Sequence, residues 1–483
     1  MTIKLDLVLS VVSSGIILAA MVASAIHVVM YKNNMRAAIG WIGLIGFAPL
    51  LGIVLYWTFG INRIQRKAKH LFSGSQPVAL PFEQEVLYPN HLLKTIGLEA
   101  DQLYQLARLT ERVTVNPLMA GNSIEPLLNG DEAYPAMLQA IEQAEHSVTL
   151  MTYIFDNDDW GRRFRKALAD AVSRGIQVRV LIDDIGARYA FPSIVRGLRG
   201  GNVPVSRFMR SIKPWRFRYY NLRNHRKIMV VDGKNGFTGG MNIRCGNVLK
   251  DNPEHPVQDL HFRVQGPVVA ELQKAFVQDW KFTNGEELTG QIWFPELAVQ
   301  GNAVARGISD GPDEDYDKLR LVLLGALSCA KRSIRIASPY FLPDEELALA
   351  LRVAALKGIE VEIFQPEVNN LKMVKWAATA SYEELLEGGC TIWFTPPPFD
   401  HTKIMLVDDM WVLLGSANWD PRSLQLNFEF NIEVYDSSLA GRVNSILAAK
   451  RGQARRLSMD ALQSRPMPVR FRDKVFRLAS PYL

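Results

Sequence analysis

Cysteine is scarce: 3 residues in 483, namely Cys245, Cys329 and Cys390, far apart and without CxxC spacing. An odd, scattered set argues against a disulfide framework and a zinc site, and suits a reducing compartment in which the thiols pack in the core. Excess charge is also in short supply. Against 49 Asp and Glu stand 55 Lys and Arg, a formal net charge of +6. That balance suits an anionic surface or substrate without choosing between lipid and nucleic acid. Carboxylates at metal-ligand spacing are missing, so no metal and no cofactor is expected. Missing too is any short-period repeat, which sets solenoids aside.

What the chain does contain is one duplication at long range. Asn224–Asn242 reads NHRKIMVVDGKNGFTGGMN and places His225, Lys227 and Asp232 at H-x-K-x4-D spacing. The spacing returns as His401, Lys403 and Asp408 in HTKIMLVDDMWVLLGSAN. Each copy runs through an apolar stretch to a small-residue turn, Gly239-Gly240 or Gly415-Ser416, and then to Asn242 or Asn418. One such pattern is a weak signal; two with matching flanks are a strong one.

Histidine and lysine two residues apart project from one face of a strand. The apolar runs Ile228–Val231 and Ile404–Val407, bounded by turn residues, read as buried strands. A single pair has a plain structural reading: a satisfied core histidine beside a solvated lysine. Two pairs facing each other set two imidazoles and two ammoniums around one anion. In-line attack on a phosphodiester needs that set: a nucleophile, a proton donor behind the leaving oxygen, and cations on the equatorial oxygens. Asp232 and Asp408 complete the motif's catalytic set, although their place after the strand suits ordering the turn.

With GGMN and GSAN behind them, the two HxKxxxxD segments resemble the phospholipase D superfamily. Two N-terminal apolar runs, HTK…GSANWDPRS, NFEFNIEV and a C-terminal LASPYL make the chain most similar, over nearly its whole length, to the bacterial cardiolipin synthase family. The resemblance implies transfer of a phosphatidyl group from one phosphatidylglycerol to another, giving cardiolipin and glycerol. It implies that His225 forms a phosphatidyl-histidine and that His401 acts first as acid, then as base. It places Lys227, Lys403, Asn242 and Asn418 on the non-bridging oxygens, with Ser416 among the substrate-binding residues. It also implies that Asp259 in VQDLHFRV and Glu429 in NFEFNIEV hold the histidines in orientation and tautomer. Spacing alone is symmetric, so the choice of His225 as nucleophile comes from the superfamily. His255 and His261 have no counterpart in the other half and are read as non-catalytic. A hydrolytic phospholipase D, or a synthase using another alcohol, shares all these residues; a phosphodiesterase acting on nucleic acid is the alternative substrate class. A scaffold with inert lobes is disfavoured because both motifs are complete.

At the N-terminus, Leu7–Met30 and Ala37–Phe59 are apolar runs, each long enough for the about 20 residues of helix that cross a bilayer core. The turn Tyr31–Arg36 makes them a hairpin, with Trp41, Tyr56 and Trp57 where an aromatic belt is expected. The length of the first run and the presence of the second argue against a cleaved signal peptide. Lys4, Arg63, Arg66, Lys67 and Lys69 outweigh Lys32 and Arg36. The positive-inside rule then puts both ends, and the catalytic part, on the cytoplasmic side of a bacterial inner membrane.

After a charged, proline-punctuated connector at 63–112, with a helix expected at Glu99–Val113, the two halves correspond. AEHSVTLMTYIF (Ala144–Phe155) matches AKRSIRIASPYF (Ala330–Phe341), and RGIQVRVLID (Arg174–Asp183) matches KGIEVEIFQP (Lys357–Pro366). Helices are expected at Tyr134–Gln143 and Gly161–Ser173 in one half, and at Tyr316–Cys329 and Glu345–Ala355 in the other. Alternating strands and helices of this length make α/β lobes with a sheet covered on both faces. The expected architecture is a transmembrane helical hairpin (1–62) before two duplicated α/β phospholipase D-like lobes packed together, 113–290 and 291–483. Thr283–Gly311, rich in glycine and polar residues, reads as the linker.

The lobes differ at Arg207–Lys227, where basic residues interleave with Phe208, Trp215, Phe217, Tyr219 and Tyr220. Such a run suits a lipid headgroup interface or single-stranded nucleic acid, and the hairpin favours lipid; a solvated face is the plain alternative. Arg465–Leu483 has a similar mixture and reads equally as an interfacial or a packed C-terminal helix. The expected partners are phosphatidylglycerol and anionic membrane lipid, not nucleic acid.

Overall fold

The computed structural model describes residues 2–32, 34–60, 101–114, 116–210, 222–312 and 316–480, in two units, Met1–Lys67 and Ala68–Leu483. In the first, α1 (Thr2–Tyr31) contains Leu9–Tyr31, long and apolar enough to cross a membrane. The second apolar run, expected as one helix, is divided into α2 (Met35–Phe47) and α3 (Pro49–Leu55), followed by a π-helical turn at Tyr56–Gly60. The break falls at Ala48, where φ is −135° and ψ 72°. Proline has no N–H to give the preceding turn, and its ring drives the residue before it out of the helical region. Pro49 then serves as the first residue of α3. Polar groups tie the segments together: His27 Nδ1 lies 2.7 Å from the Tyr56 hydroxyl, and Trp57 Nε1 donates to Ser24 Oγ at 2.9 Å.

The second unit repeats one plan. After α4 (Asp101–Val113), the first lobe runs β1 (Met119–Leu128), α5 (Asn129–Glu142), β2 (Ser147–Thr152), α6 (Asp159–Ser173), β3 (Gln177–Asp183), α7 (Ile194–Gly200) and β4 (Val205–Phe208). It closes with β5 (Arg223–Asn224), β6 (Ile228–Val231), β7 (Asn235–Gly239), β8 (Val257–Gln258), β9 (Leu260–Gln265) and α8 (Val269–Asn284). The second lobe runs β10 (Ala303–Asp310), α9 (Lys318–Cys329), β11 (Ser333–Ala337), α10 (Glu345–Leu356), β12 (Glu360–Pro366), α11 (Lys372–Thr379), α12 (Tyr382–Glu387) and β13 (Thr391–Thr395). It continues through β14 (Phe399–Asp400), β15 (Ile404–Val407), β16 (Trp411–Gly415), α13 (Pro421–Gln425), β17 (Asn427–Tyr435), α14 (Ser437–Gln453), β18 (Arg455–Arg456), α15 (Met459–Gln463) and α16 (Met467–Leu478).

Helix α6 shows why these segments fold as they do. Its buried residues Trp160, Phe164, Ala167, Leu168 and Ala171 fall on one face, and Asp158 caps its start by accepting the Gly161 N–H. The strands join one sheet in the order β18-β13-β12-β11-β15-β16-β17-β10-β1-β9-β7-β6-β2-β3-β4. Outward from the antiparallel β1–β10 pair, corresponding strands appear in the same sequence on either side: β9 and β17, β7 and β16, β6 and β15, β2 and β11. The duplicated α/β lobes are therefore halves of one two-fold sheet.

Two expectations change. The segment read as a linker contains the end of α8 and all of β10, which sits at the centre of the sheet. Its Arg306, polar enough to look like loop, is wholly buried against an equally buried Glu433 at 2.7 Å. Helix α4, placed in the connector, buries Leu103, Leu106 and Ala107 in the second lobe's core beside Leu319 and Val322.

Candidate active site

The motif histidines lie in extended backbone between two short strands, and the lobes exchange partners there. Strand β5 pairs in parallel with β17 of the other lobe, and β14 with β8. Accordingly the His225 N–H donates to Phe428 O at 2.9 Å, and the His401 N–H to Gln258 O at 2.7 Å. The next residue along each accepting strand is an acid. His225 Nδ1 meets Glu429 at 2.9 and 3.1 Å, and His401 Nδ1 meets Asp259 at 2.8 Å. Each carboxylate downstream of one motif thus holds the histidine of the other, a crossing that spacing along the chain does not reveal.

An imidazole that gives Nδ1–H to a carboxylate presents Nε2 outward with a fixed tautomer. Both rings are nearly buried, with side-chain exposures of 12% and 13%. Burial, the largest influence, lowers both histidines, and lysine charge adds to it, against the pull of the carboxylates; His401 falls to about 4. The neutral ring is the form held in readiness. Lys227 and Lys403, also buried, are pushed down by desolvation to about 7 and about 8. Each curls back to its histidine, donating to the carbonyl of His225 or His401. Both lysines bear on both imidazoles electrostatically, so the two motifs share one pocket of charge.

The remaining expected residues take distinct places. Ser416 is wholly buried and donates to Glu429 at 2.5 Å, so its hydroxyl is spent on the carboxylate. Asn427 also donates to Glu429, at 3.2 Å. Asn242 Oδ1 accepts the Ile154 N–H at 3.0 Å, and Asn418 Nδ2 donates to Ser423 at 3.2 Å. Asp232 and Asp408 stand at the far end of the motif strands. Asp232 accepts the N–H groups of Glu145, His146 and Ser147, and Asp408 those of Lys331, Arg332 and Ser333. Both have positive φ, 52° and 53°, and clamp the start of β2 or β11. The turns after β7 and β16 need glycine. Gly239 and Gly415 have φ of 148° and 155°, and a Cβ on either runs into the neighbouring strand, on Gly415 at 2.4 Å from Phe430 O. Residues 211–221 of the basic-aromatic run lie outside the described residues.

The structure adds residues that motif spacing missed. Tyr153 packs its ring edge against His225 at 5.3 Å, and Tyr340 against His401 at 6.3 Å. They come from non-matching positions of the two aligned segments, which hid them. Arg226, between His225 and Lys227, donates to Glu429 O at 3.1 Å and pairs with Asp279 of α8 at 2.8 Å. His261 is buried but is not tied to either motif imidazole; its counterpart across the sheet is Asn431.

The sequence profile described as cardiolipin synthase, PLD-like domain, matches residues 137–280 and 323–450. The chain belongs to the cardiolipin synthase family. A second profile, described as phospholipase D-nuclease N-terminal, matches residues 19–60. Family members of similar length include the cardiolipin synthase of Geobacillus thermodenitrificans, 33% identical over 97% of this chain and 93% of that one. The major cardiolipin synthase ClsA of Bacillus subtilis is 32% identical over 94% and 96%. The cardiolipin synthase A of Pseudomonas fluorescens is 31% identical over 95% of each chain. Among solved structures, phosphatidylserine synthase of Haemophilus influenzae shares the fold with a TM-score of 0.62, at 17% identity over 78% of this chain and all of that one.

Proposed function

We propose that this cardiolipin synthase family enzyme joins two phosphatidylglycerol molecules into cardiolipin and glycerol through a phosphatidyl-histidine. The crossed pairs His225–Glu429 and His401–Asp259, with both lysines in the same charge field, carry the reading. The anionic phosphodiester enters a site whose histidines are neutral; its charge raises the proton affinity of both imidazoles and both lysine amines, and His401 takes up a proton from solvent at Nε2 as the substrate binds. His225 Nε2 attacks phosphorus, the bond to the glycerol oxygen breaks, and His401 supplies that oxygen's proton. His401 then takes the proton from a hydroxyl of the second phosphatidylglycerol. The resulting oxygen attacks phosphorus, the P–N bond breaks, and His225 is restored. Lys227, Lys403, Asn242 and Asn418 face the non-bridging oxygens, where negative charge concentrates in the transition state. We assign the nucleophile to His225, the histidine of the first motif, following the superfamily; Ser416 and Asn427 hold its carboxylate. Asp232 and Asp408 act through the fold.

The substrate side of the proposal is a phospholipid and not nucleic acid. The first helix anchors the chain, the second apolar segment completes a hairpin, and the excess of Lys4, Arg63, Arg66, Lys67 and Lys69 over Lys32 and Arg36 puts catalysis on the cytoplasmic side. Incubation of the full-length protein with phosphatidylglycerol vesicles, followed by lipid extraction and chromatography, is expected to yield cardiolipin and glycerol. Phosphatidic acid as the main product makes the enzyme a hydrolase. A phosphatidyl ester of p-nitrophenol, whose leaving group needs no proton, should label the His225 peptide of a His401→Asn variant. Label on the His401 peptide of His225→Asn reverses the roles.

A further inference from the structure

Helix α16 turns only one side to the protein. Asp473 is buried there, Phe476 lies 4.9 Å from the ring of Trp376 in α11, and the Arg472 guanidinium stands 4.2 Å over that ring. On the opposite arc Met467, Phe471, Val475 and Leu478 follow at i, i+4, i+8 and i+11, with exposures of 81%, 67%, 44% and 82%. An amphipathic helix normally sends such a stripe inward. This one faces out, with exposed Lys474 beside it and Arg470 and Arg477 further round the same flank.

The helix that carries the stripe borders a loop that reaches the active site. Helix α16 packs on α11, and Leu371, just before α11, and Met373, in its first turn, are both exposed. Between β12 and α11, Asn370 accepts a hydrogen bond from Tyr340 at 2.7 Å, and Tyr340 in turn touches His401. The first lobe has the matching loop after β3. It carries the exposed Tyr189 and Phe191, and Tyr189 lies 6.3 Å from Tyr153, the ring against His225. Each histidine is therefore reached through a tyrosine from a loop with outward apolar side chains.

We propose that the stripe of α16 and these two loops form the face that the catalytic unit lays on an anionic phospholipid bilayer, an inference that rests on the lipid substrate proposed above. Aromatic and aliphatic side chains enter the acyl boundary, while the exposed Lys372 and Lys474 meet headgroup phosphates; Arg470 and Arg477 are paired with Glu383 and Glu384. The phosphodiester then reaches His225 and His401 with its acyl chains still in the leaflet. Continuity with the mouth of a lipid-handling site favours a bilayer over a second copy of the chain as the occupant.

The test uses full-length protein with Phe471→Cys in a background lacking Cys245, Cys329 and Cys390, carrying an environment-sensitive fluorophore. In phosphatidylglycerol vesicles the probe should shift to shorter wavelength and be quenched by lipids brominated on the acyl chains. A Phe471→Asp/Leu478→Asp double variant, altered only at exposed positions, should lose about tenfold or more of its cardiolipin formation on vesicles. Its turnover of phosphatidylglycerol dispersed in detergent should stay at the wild-type level. A probe that remains in water, full vesicle activity in the double variant, or disulfide-linked dimers formed through position 471 each overturn the proposal. Failure of the wild-type protein to form cardiolipin in detergent instead overturns the assigned reaction, while the probe still reports on the docking face.

Discussion

Each imidazole takes its orientation from a carboxylate on the other lobe, so the two motifs act as parts of one device. His225→Ala and His401→Ala should each abolish cardiolipin formation, and the double variant should lose little more, because removing the second part of a disabled unit costs almost nothing. Near-normal turnover in either single variant means two independent sites. The lysines set the alkaline limit. With Lys227 near 7 and Lys403 near 8, the free enzyme loses cations as pH rises past neutrality, and kcat/KM should fall across that range. Lys227→Arg, at the group that titrates first, keeps its charge throughout; it should lower the plateau but carry the falling limb to higher pH, toward the range of Lys403, and an unmoved limb assigns it to another group. On the acid side, an unfolded His401 takes up a proton below its usual 6.5, whereas the folded one resists until about 4. The unfolded chain binds more protons in that window, so stability falls as pH drops through it. Thermal melts of His401→Asn should show a shallower fall than wild type between those values.

Among the elements, the motif aspartates belong to the strand ends. Each accepts backbone N–H groups from three successive residues, and bonds to a charged group are worth about 1.5–3 kcal/mol apiece. Asp408→Ala should therefore lower the melting temperature by several degrees while the folded fraction retains its rate on detergent-dispersed phosphatidylglycerol; a lost rate in fully folded protein puts Asp408 in the chemistry. The same strands show what the sequence could disclose. Histidine, lysine and aspartate were legible because their spacing is local and occurs twice. The crossing of Glu429 to His225 was not, since 204 residues separate the partners and strands of two residues arrange the meeting. Strand β10 was hidden by Arg306 and Gly307, whose burial makes sense only once Glu433 lies opposite and α4 covers them. Pro49 was visible, but a continuous membrane helix accommodates proline in some settings, and here the backbone opens at Ala48 instead.

At the scale of the whole molecule, the positive residues at the N-terminus and after the second apolar segment imply one sidedness. In a background without native cysteines, Asn34→Cys in intact cells should react with an impermeant maleimide, and the exposed position of His255→Cys should react only after the membrane is opened. The reverse pattern moves catalysis to the outer side. The pairing of β5 with β17 has a further consequence, in time instead of space. A ribosome that has finished the first lobe has made His225, Lys227 and Asp259, but not His401, and His225 still lacks the acid that fixes its tautomer. Only when synthesis passes Glu429 does the unfinished chain gain the means to cut a phosphodiester. On the proposed mechanism the order of translation works as a safety catch, keeping the nucleophile disarmed until β17 has joined the sheet.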